Sequence, residues 1–240
     1  MLTDVHIHLH EFNDKEVEEF KDILMVAVSD DYETSMETLR RFENSRNIHI
    51  SIGIHPWNIG KADLKEIAEL ERIVDERDVR ILGEIGLDKQ FTPETFNKQI
   101  VFFKTFLKIA RERDLIVNLH ATGAWKQVFE LTLKHDIDKA VFHWYNGPVN
   151  LLHEIESVGY FISINPSLKI QNKHRKIALE ANIDNILLES DGPYKYRGLN
   201  LNPRMVEESI HLIADMRSTK PRDLELDVER NFHRFLGIRF

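Results

Sequence analysis

The chain has 240 residues, of which 42% are hydrophobic and none is cysteine, and its formal net charge is −8. The lack of cysteine excludes disulfides and thiolate ligands, so any metal site must use His, Asp and Glu side chains. No apolar run approaches the roughly 20 residues of a membrane-spanning helix, and no signal peptide is recognisable, so we expect a cytoplasmic protein with no membrane partner. The negative charge argues against a large nonspecific nucleic-acid surface but permits a small basic patch.

Short runs rich in β-branched and other apolar residues recur along the whole chain and predict eight β-strands. Each run is five to nine residues long and is followed by a more polar stretch. In chain order the predicted strands cover residues 2–8, 23–29, 48–55, 79–87, 115–120, 139–144, 160–164 and 185–190.

Longer amphipathic stretches between these strands predict helices. Strands that alternate with helices form parallel βαβ units, and eight such units in one domain, here residues 1–240, predict a (β/α)8 TIM barrel. The first connection, residues 10–22, and the seventh, residues 172–182, are short, so we expect distortion there. The predicted helices cover residues 34–45, 62–76, 93–113, 123–135 and 149–158, with two more after the eighth strand.

His6 and His8 alternate with apolar residues in the first predicted strand. Because side chains in a strand repeat with a period of two, both imidazoles lie on the same face. Neutral imidazole is a common ligand for zinc and other transition ions. Taken alone, the pattern fits a metal site and a pair of half-buried histidines about equally well.

Other metal-competent side chains lie at the carboxyl ends of predicted strands that are far apart in sequence. Barrel enzymes build their active sites at that face of the barrel, so we expect these side chains to converge. His10 is ambiguous, and surface or capping roles are expected for the histidines in helices or connections, namely His49, His135, His153, His174, His211 and His233. The converging set is His6, His8, Glu84, His120, His143 and Asp191.

For two carboxylates in this set, a purely structural role is the alternative to metal binding, and this alternative is weaker for Glu84 than for Asp191. Glu84 stands in an otherwise apolar strand, where a carboxylate is costly unless it is paired or binds a metal. Asp191 is a candidate general base. Its alternative is a helix N-cap, because Ser190, Asp191 and Gly192 precede Pro193, which suits a first helical turn.

The order and spacing of six motifs resemble TatD-family metal-dependent hydrolases of the amidohydrolase-like barrel group. The resemblance runs nearly end to end. It is carried by Asp4-Val5-His6-Ile7-His8-Leu9, Gly53-Ile54-His55-Pro56, Gly83-Glu84-Ile85-Gly86-Leu87-Asp88, His120, His143 with Gly147, and Glu189-Ser190-Asp191-Gly192-Pro193-Tyr194.

The resemblance implies two divalent ions, Mg²⁺, Mn²⁺ or Zn²⁺, and assigns them ligands. His6, His8 and Asp191 would bind one ion, Glu84 would bridge it to the second, and His120 and His143 would complete the second site. Two such ions lower the pKa of a bridging water and stabilise charge on a substrate oxygen, which is hydrolytic chemistry. Asp191 and Glu84 are therefore the expected catalytic residues.

Aromatic and basic residues near the same strand ends are candidate substrate contacts. Aromatic rings can stack on bases, and stacking combined with positive charge binds single strands without sequence preference. The loops after strands seven and eight, where barrels often bind phosphate, are basic. A solvated helix face explains the lysines and arginine of residues 173–176 equally well, and Trp125 is expected to pack at the end of the core. The predicted contacts are His55, Trp57, Trp144, Lys169 and Arg197.

The expected function is therefore a phosphodiesterase or deoxyribonuclease that acts on single-stranded DNA, in the manner of a 3′–5′ exonuclease, or on a small phosphodiester. An amidohydrolase or esterase with a small metabolite substrate is the alternative, and a noncatalytic metal-binding scaffold is a third possibility. The chain departs from the family where Ala121-Thr122-Gly123 follow His120 in place of a small residue and an arginine. It departs again where Trp144-Tyr145-Asn146 replace Cys-Phe-Ser, and in its short first connection.

Overall fold

Eight parallel strands alternate with helices in the computed structural model, which describes residues 1–238. The sheet order follows the chain from β1 to β8, and β1 lies beside β8. This is the predicted (β/α)8 barrel, and all eight predicted strands are confirmed, each of them shorter than predicted. The strands are β1 Leu2–Ile7, β2 Ile23–Ala27, β3 Ile48–Ile52, β4 Ile81–Gly86, β5 Ile116–His120, β6 Ala140–Phe142, β7 Phe161–Ile164 and β8 Ile186–Leu188.

The helices occupy the predicted connections. The short first connection holds a 3-10 turn at Leu9–Glu11 and a five-residue helix, α1. After β8 a small antiparallel hairpin, β9 Lys195–Tyr196 and β10 Leu199–Asn200, precedes the last two helices. Within residues 1–238, no helix combines the length and apolar character needed to cross a membrane. The helices are α1 Asp14–Glu18, α2 Tyr32–Phe42, α3 Leu64–Arg77, α4 Phe96–Glu112, α5 Trp125–Lys134, α6 Val149–Ser157, α7 Asn172–Glu180, α8 Met205–Arg217 and α9 Pro221–Leu236.

The chain divides into two compact units that interleave in sequence. The first comprises Met1–Ala27, Ser45–His49 and the chain from His143 onward. In this unit β1 pairs with β2 and β7 with β8, and Ile7, Leu187 and Phe232 are fully buried. The prediction of one domain over residues 1–240, two of which lie outside the described part, stays a prediction.

The second unit comprises Val28–Asn44 and Ile50–Phe142. Its parallel strands β4, β5 and β6 pair in sequence order, and α4 buries Phe102, Phe103 and Phe106. Gly86 ends β4 with φ +149°, and a Cβ there would lie 1.9 Å from the carbonyl oxygen of His120. Glycine is therefore required where β4 and β5 carry Glu84 and His120 side by side.

Candidate active site

His6, His8 and Asp191 converge beside the ends of β1 and β8. Nε2 of His6 lies 3.6 Å and Nε2 of His8 lies 3.3 Å from Oδ1 of Asp191. One ligand atom from each residue lies within 4.8 Å of the other two, so the three could hold a metal ion. The backbone N–H of Asp191 donates to the carbonyl of His6 at 2.9 Å, which fixes the carboxylate against the strand. The predicted shared face of His6 and His8 is confirmed, with ring centroids 5.2 Å apart.

His143 and Glu189 join this group, which we call the β1 cluster. The imidazole of His143 stacks on that of His6 with centroids 4.0 Å apart, and its Nδ1 lies 3.6 Å from Oε1 of Glu189. Glu189 is fully buried, and its Oε2 accepts a short hydrogen bond from the Ser163 hydroxyl. Burial raises the pKa of Glu189, but His143, His6 and Ser163 outweigh this effect and hold the pKa below its ordinary value.

A second group, the β4 cluster, consists of His55, Glu84, Asp88 and His120. Oε1 of Glu84 lies 2.6 Å from Nδ1 of His120 and 3.2 Å from Nε2 of His55. His55, Glu84 and His120 could also hold a metal ion. Glu84 is 1% exposed, as expected for a carboxylate that depends on its partners.

Asp88 supports the β4 cluster from its other side. Its Oδ2 accepts the indole N–H of Trp57 at 2.7 Å and lies 3.1 Å from Nε2 of His120. Its Oδ1 accepts the backbone N–H groups of Gln90 and Phe91. Burial raises the pKa of Asp88, but these partners outweigh it and lower the pKa to about 2, so the carboxylate is ionised at neutral pH.

The donor sets of both clusters fit divalent cations. In the β4 cluster the imidazole of His120 lies between the carboxylates of Glu84 and Asp88. A neutral imidazole carries one N–H, so its other nitrogen points a lone pair at a carboxylate. A cation shared by that lone pair and the carboxylate would turn this repulsion into attraction. Nitrogen and oxygen ligands without sulfur suit zinc, manganese or magnesium.

The N-cap alternative for Asp191 is wrong. Asp191 has φ +55°, outside the extended conformation typical of an N-cap. Among the described residues the next helix after β8 is α8, which begins at Met205, and residues 192–193 form a turn. The carboxylate instead lies beside His6 of β1 and His8, which directly follows β1, as the metal hypothesis requires.

Among the predicted substrate contacts, Trp144 and Arg197 belong to one aromatic group. The ring centroid of Trp144 lies 5.1 Å from that of Tyr196 and 6.1 Å from that of Tyr194. The guanidinium of Arg197 lies 5.4 Å from the centroid of Tyr196. We call Trp144, Tyr194, Tyr196 and Arg197 the Trp144 cluster.

The remaining predicted contacts divide between the two units. His55 belongs to the β4 cluster and Trp57 adjoins it, with the ring centroids of the two residues 5.0 Å apart. Lys169 forms an ion pair with Glu208, so a carboxylate of the protein itself offsets its positive charge. Trp125 begins α5 and is half-buried.

Three residues of the described chain make contacts that were not predicted from the sequence. Asp88 and Glu189 stand inside family-like motifs, yet neither was predicted as a site residue. The only sequence signal for Asp88 and Glu189 was their position in motifs that also contain the predicted ligands Glu84 and Asp191. The surface or capping role expected for His174 is wrong, because its side chain is fully buried in contact with backbone groups of Asn165 and Tyr145.

Comparisons with known proteins agree with this geometry. The family described as TatD related DNase matches residues 3–237. An uncharacterized metal-dependent hydrolase of Methanocaldococcus jannaschii is 28% identical, with 99% of this chain and 97% of that protein covered. The uncharacterized metal-dependent hydrolase YcfH of Escherichia coli K12 is 27% identical, with 99% and 96% covered.

Solved structures show the same fold. The crystal structure of YJJV, a TatD homolog from Escherichia coli K12, superimposes with a TM-score of 0.88 at 20% identity, covering 99% of this chain and 98% of that one. A TatD family hydrolase from Entamoeba histolytica gives a TM-score of 0.81 at 16% identity, with 98% and 97% covered. The match across nearly the whole chain, together with the His, Asp and Glu clusters at the strand ends, shows that this protein belongs to the TatD family of metal-dependent hydrolases.

Proposed function

We propose that this protein is a phosphodiesterase that shortens single-stranded DNA from an end, in the 3′-to-5′ direction. The observation that carries the proposal is the convergence of Nε2 of His6, Nε2 of His8 and Oδ1 of Asp191 in the β1 cluster. Two imidazole nitrogens and a carboxylate oxygen within 4.8 Å of one another are a suitable ligand set for a divalent cation. The residues that would hold two divalent ions, Mg²⁺, Mn²⁺ or Zn²⁺, are His6, His8, Glu84, His120, His143 and Asp191.

The chemistry proposed for this site divides between the ions and the protein. Divalent ions would lower the pKa of the attacking water and stabilise negative charge on a phosphoryl oxygen. Asp191 would accept the proton of that water, because its carboxylate is held by its own backbone N–H bond to His6 and faces two imidazoles. Glu84 would remain an ionised ligand, with His55 and His120 both directed at its Oε1.

The Trp144 cluster supports a nucleic-acid substrate. Its rings and its guanidinium combine stacking surfaces with positive charge, which is how single strands are bound without sequence preference. Tyr194 and Arg197 are exposed, and the hydroxyl of Tyr196 accepts a hydrogen bond from Gln171. Trp144 directly follows the candidate ligand His143, so a strand bound here would pass beside the β1 cluster.

A second candidate is a hydrolase that acts on the ester or amide bond of a small metabolite. It is favoured by ion pairs of basic residues near the end of the chain, because the predicted contact Lys169 pairs with Glu208 and the nearby Arg204 pairs with Asp22. Paired cations attract phosphates less strongly than free cations do. This candidate shares the two clusters and differs only in how much of the neighbouring surface the substrate touches.

The test is hydrolysis of 3′-labelled and 5′-labelled single-stranded DNA by metal-stripped protein resupplied with Mg²⁺, Mn²⁺ or Zn²⁺. Bis(p-nitrophenyl) phosphate is assayed alongside, and Asp191→Asn is the control variant. Immediate release of the 3′ label and stepwise shortening of the 5′-labelled strand, both requiring a metal and Asp191, would support the proposal. Cleavage of the small diester alone would favour the second candidate. Metal binding without turnover of any ester or amide would favour the third possibility, a noncatalytic metal-binding scaffold.

A further inference from the structure

Two large aromatic side chains of the second unit meet at a right angle while remaining exposed. Trp57 is 44% and Phe91 is 60% exposed. Their ring centroids lie 5.9 Å apart with an interplanar angle of 78°. We call this pair the aromatic corner. Exposing two adjoining aromatic rings to water is unfavourable, and such patches commonly mark binding sites.

The aromatic corner is fixed to the β4 cluster through one carboxylate. Oδ2 of Asp88 accepts the indole N–H of Trp57, and Oδ1 accepts the backbone N–H of Phe91 at 2.7 Å. The same Oδ2 contacts Nε2 of His120. Asp88 therefore positions both exposed residues and a candidate metal ligand together. A rigid aromatic surface loses little conformational entropy when a ligand binds.

The corner is also within contact distance of the candidate site. The ring centroid of Trp57 lies 5.0 Å from that of His55 and 6.4 Å from that of His120. A group that stacks in the corner would therefore be adjacent to a bond held at Glu84 and His120. The distances from the Trp57 ring to the rings of His55 and His120 suit an aromatic ring that belongs to the same nucleotide as the cleaved bond.

The loop that carries Phe91 packs against the segment that departs from the family pattern. The backbone N–H of Lys89 donates to the carbonyl of Thr122 at 2.9 Å. Gly123 has φ +72°, and a Cβ there would lie 3.2 Å from the backbone nitrogen of Gln90. The glycine thus allows this close approach where the resemblance leads one to expect an arginine two residues after the strand-five histidine. An aromatic surface stands beside the position where a phosphate contact is missing.

We infer that the aromatic corner binds a flat aromatic ring of the substrate next to the hydrolysed bond, and that in a nucleic-acid substrate this ring is the nucleobase. This inference rests on the proposed phosphodiesterase function and specifies how its substrate is recognised. Stacking on the corner is tolerant of base identity, because every base presents a π-face. The aromatic corner therefore recognises the substrate through contact with its ring and not through the identity of the base.

The test compares two diesters that release the same leaving group. One is thymidine 5′-(methyl phosphate), and the other is its abasic analogue, in which hydrogen replaces thymine on the sugar, so that the base is the only aromatic ring in either diester. Phe91→Ala should raise KM for the thymidine diester about tenfold and for the abasic diester less than about twofold, because one base stack is lost. Phe91→Tyr, which keeps a ring, should restore the thymidine value. Val101→Ala, which truncates another exposed apolar residue in the same unit, is the matched control.

The outcomes separate this inference from the proposed function. If Phe91→Ala changes KM for both diesters equally, or for neither, the corner does not bind the base, although the phosphodiesterase function stands. If the wild-type protein hydrolyses neither diester with any metal, the proposed function fails, and the corner is tested with thymidine 5′-monophosphate by calorimetry. Weaker binding by Phe91→Ala, restored by Phe91→Tyr, would still support the corner. An equal Kd in wild type and Phe91→Ala, or no binding, would overturn it.

Discussion

The backbone N–H of Trp57 donates to Nδ1 of His55 at 3.1 Å. Burial lowers the pKa of His55, which favours the neutral ring. A neutral imidazole whose Nδ1 accepts a hydrogen bond carries its proton on Nε2. The Nε2–H of His55 therefore faces Oε1 of Glu84 and Nδ1 of His120, each 3.2 Å away. Although the positions of His55, Glu84 and His120 would allow a metal ion, Nε2 of His55 has no lone pair for it in this tautomer.

This tautomer leads to a first prediction for His55→Ala. Removing the donor should lower kcat/KM about 100-fold, since a positioned proton donor contributes on this order. Metal content by elemental analysis should be unchanged, because Nε2–H is not a ligand. His55→Gln, which can place an amide N–H near the same point, should recover part of the activity. Loss of one equivalent of metal in His55→Ala would instead make His55 a ligand.

The second prediction concerns Glu189, which supports His143. A carboxylate that faces Nδ1 of a ligating imidazole fixes the ring orientation and favours coordination through Nε2. Glu189→Gln should therefore weaken metal binding by about 10- to 100-fold, measured by calorimetric titration of metal-stripped protein. The NMR signals of His143 should show a changed tautomer in the metal-free variant.

Ser163→Ala is the matched control for Glu189→Gln. Ser163 donates to Oε2 of Glu189 and accepts the backbone N–H of Trp144 at 3.1 Å, so its loss relaxes the carboxylate but keeps its charge. Its effect on metal affinity should be smaller than that of Glu189→Gln. Equal metal affinity in wild type and Glu189→Gln would show that Glu189 has only a packing role.

The strand pattern and the motif positions made much of this architecture predictable from sequence. Strand existence follows from local apolar runs, and residues at the carboxyl ends of parallel strands share one face of a barrel. Local pattern could not reveal the role of Asp88, because its carboxylate acts through His120 and Trp57, which lie 32 and 31 residues away. Such pairings depend on side-chain directions that only the folded chain defines.

Histidines are the clearest case of this limit. His174 lies in a basic, polar stretch that predicts a solvated helix face, yet it is fully buried. Its Nε2 accepts the backbone N–H of Asn165, and its Nδ1 lies 3.1 Å from the carbonyl of Tyr145. Two backbone groups brought together by the fold satisfy the ring, and neither is visible in the local sequence.

The third prediction tests the number of metal ions. Glu84→Ala and His120→Ala should each lower the bound metal from about two ions per chain to about one, because both residues belong to the β4 cluster while the β1 cluster keeps its own ligands. His153→Ala, with an exposed side chain on α6, should keep the wild-type content. Full metal content in both β4-cluster variants, determined by elemental analysis, would contradict a binuclear site.

The last prediction is a pH dependence of stability that comes from His174. Burial lowers its pKa from 6.5 to about 4, despite the opposing effects of Glu189 and the carbonyl of Tyr145. The unfolded chain therefore binds more protons between these values, so the contribution of His174 is present above pH 6.5 and is lost as the pH falls through about 4. At about 1.4 kcal/mol per pKa unit, the loss is about 3 kcal/mol.

His174→Gln isolates this contribution, because an amide can accept the Asn165 N–H and donate to the Tyr145 carbonyl without titrating. Asp4 acts in the opposite sense, since burial raises its pKa to about 7 and its contribution is lost as the pH rises through that value. Asp4 is common to both proteins, so its effect cancels in their difference. The measurement is urea unfolding of metal-free protein at pH 7.5, 5.5 and 4. As the pH falls, the free energy of unfolding of His174→Gln should rise steadily relative to that of the wild type. Parallel pH profiles for the two proteins would show that His174 does not titrate differently on unfolding.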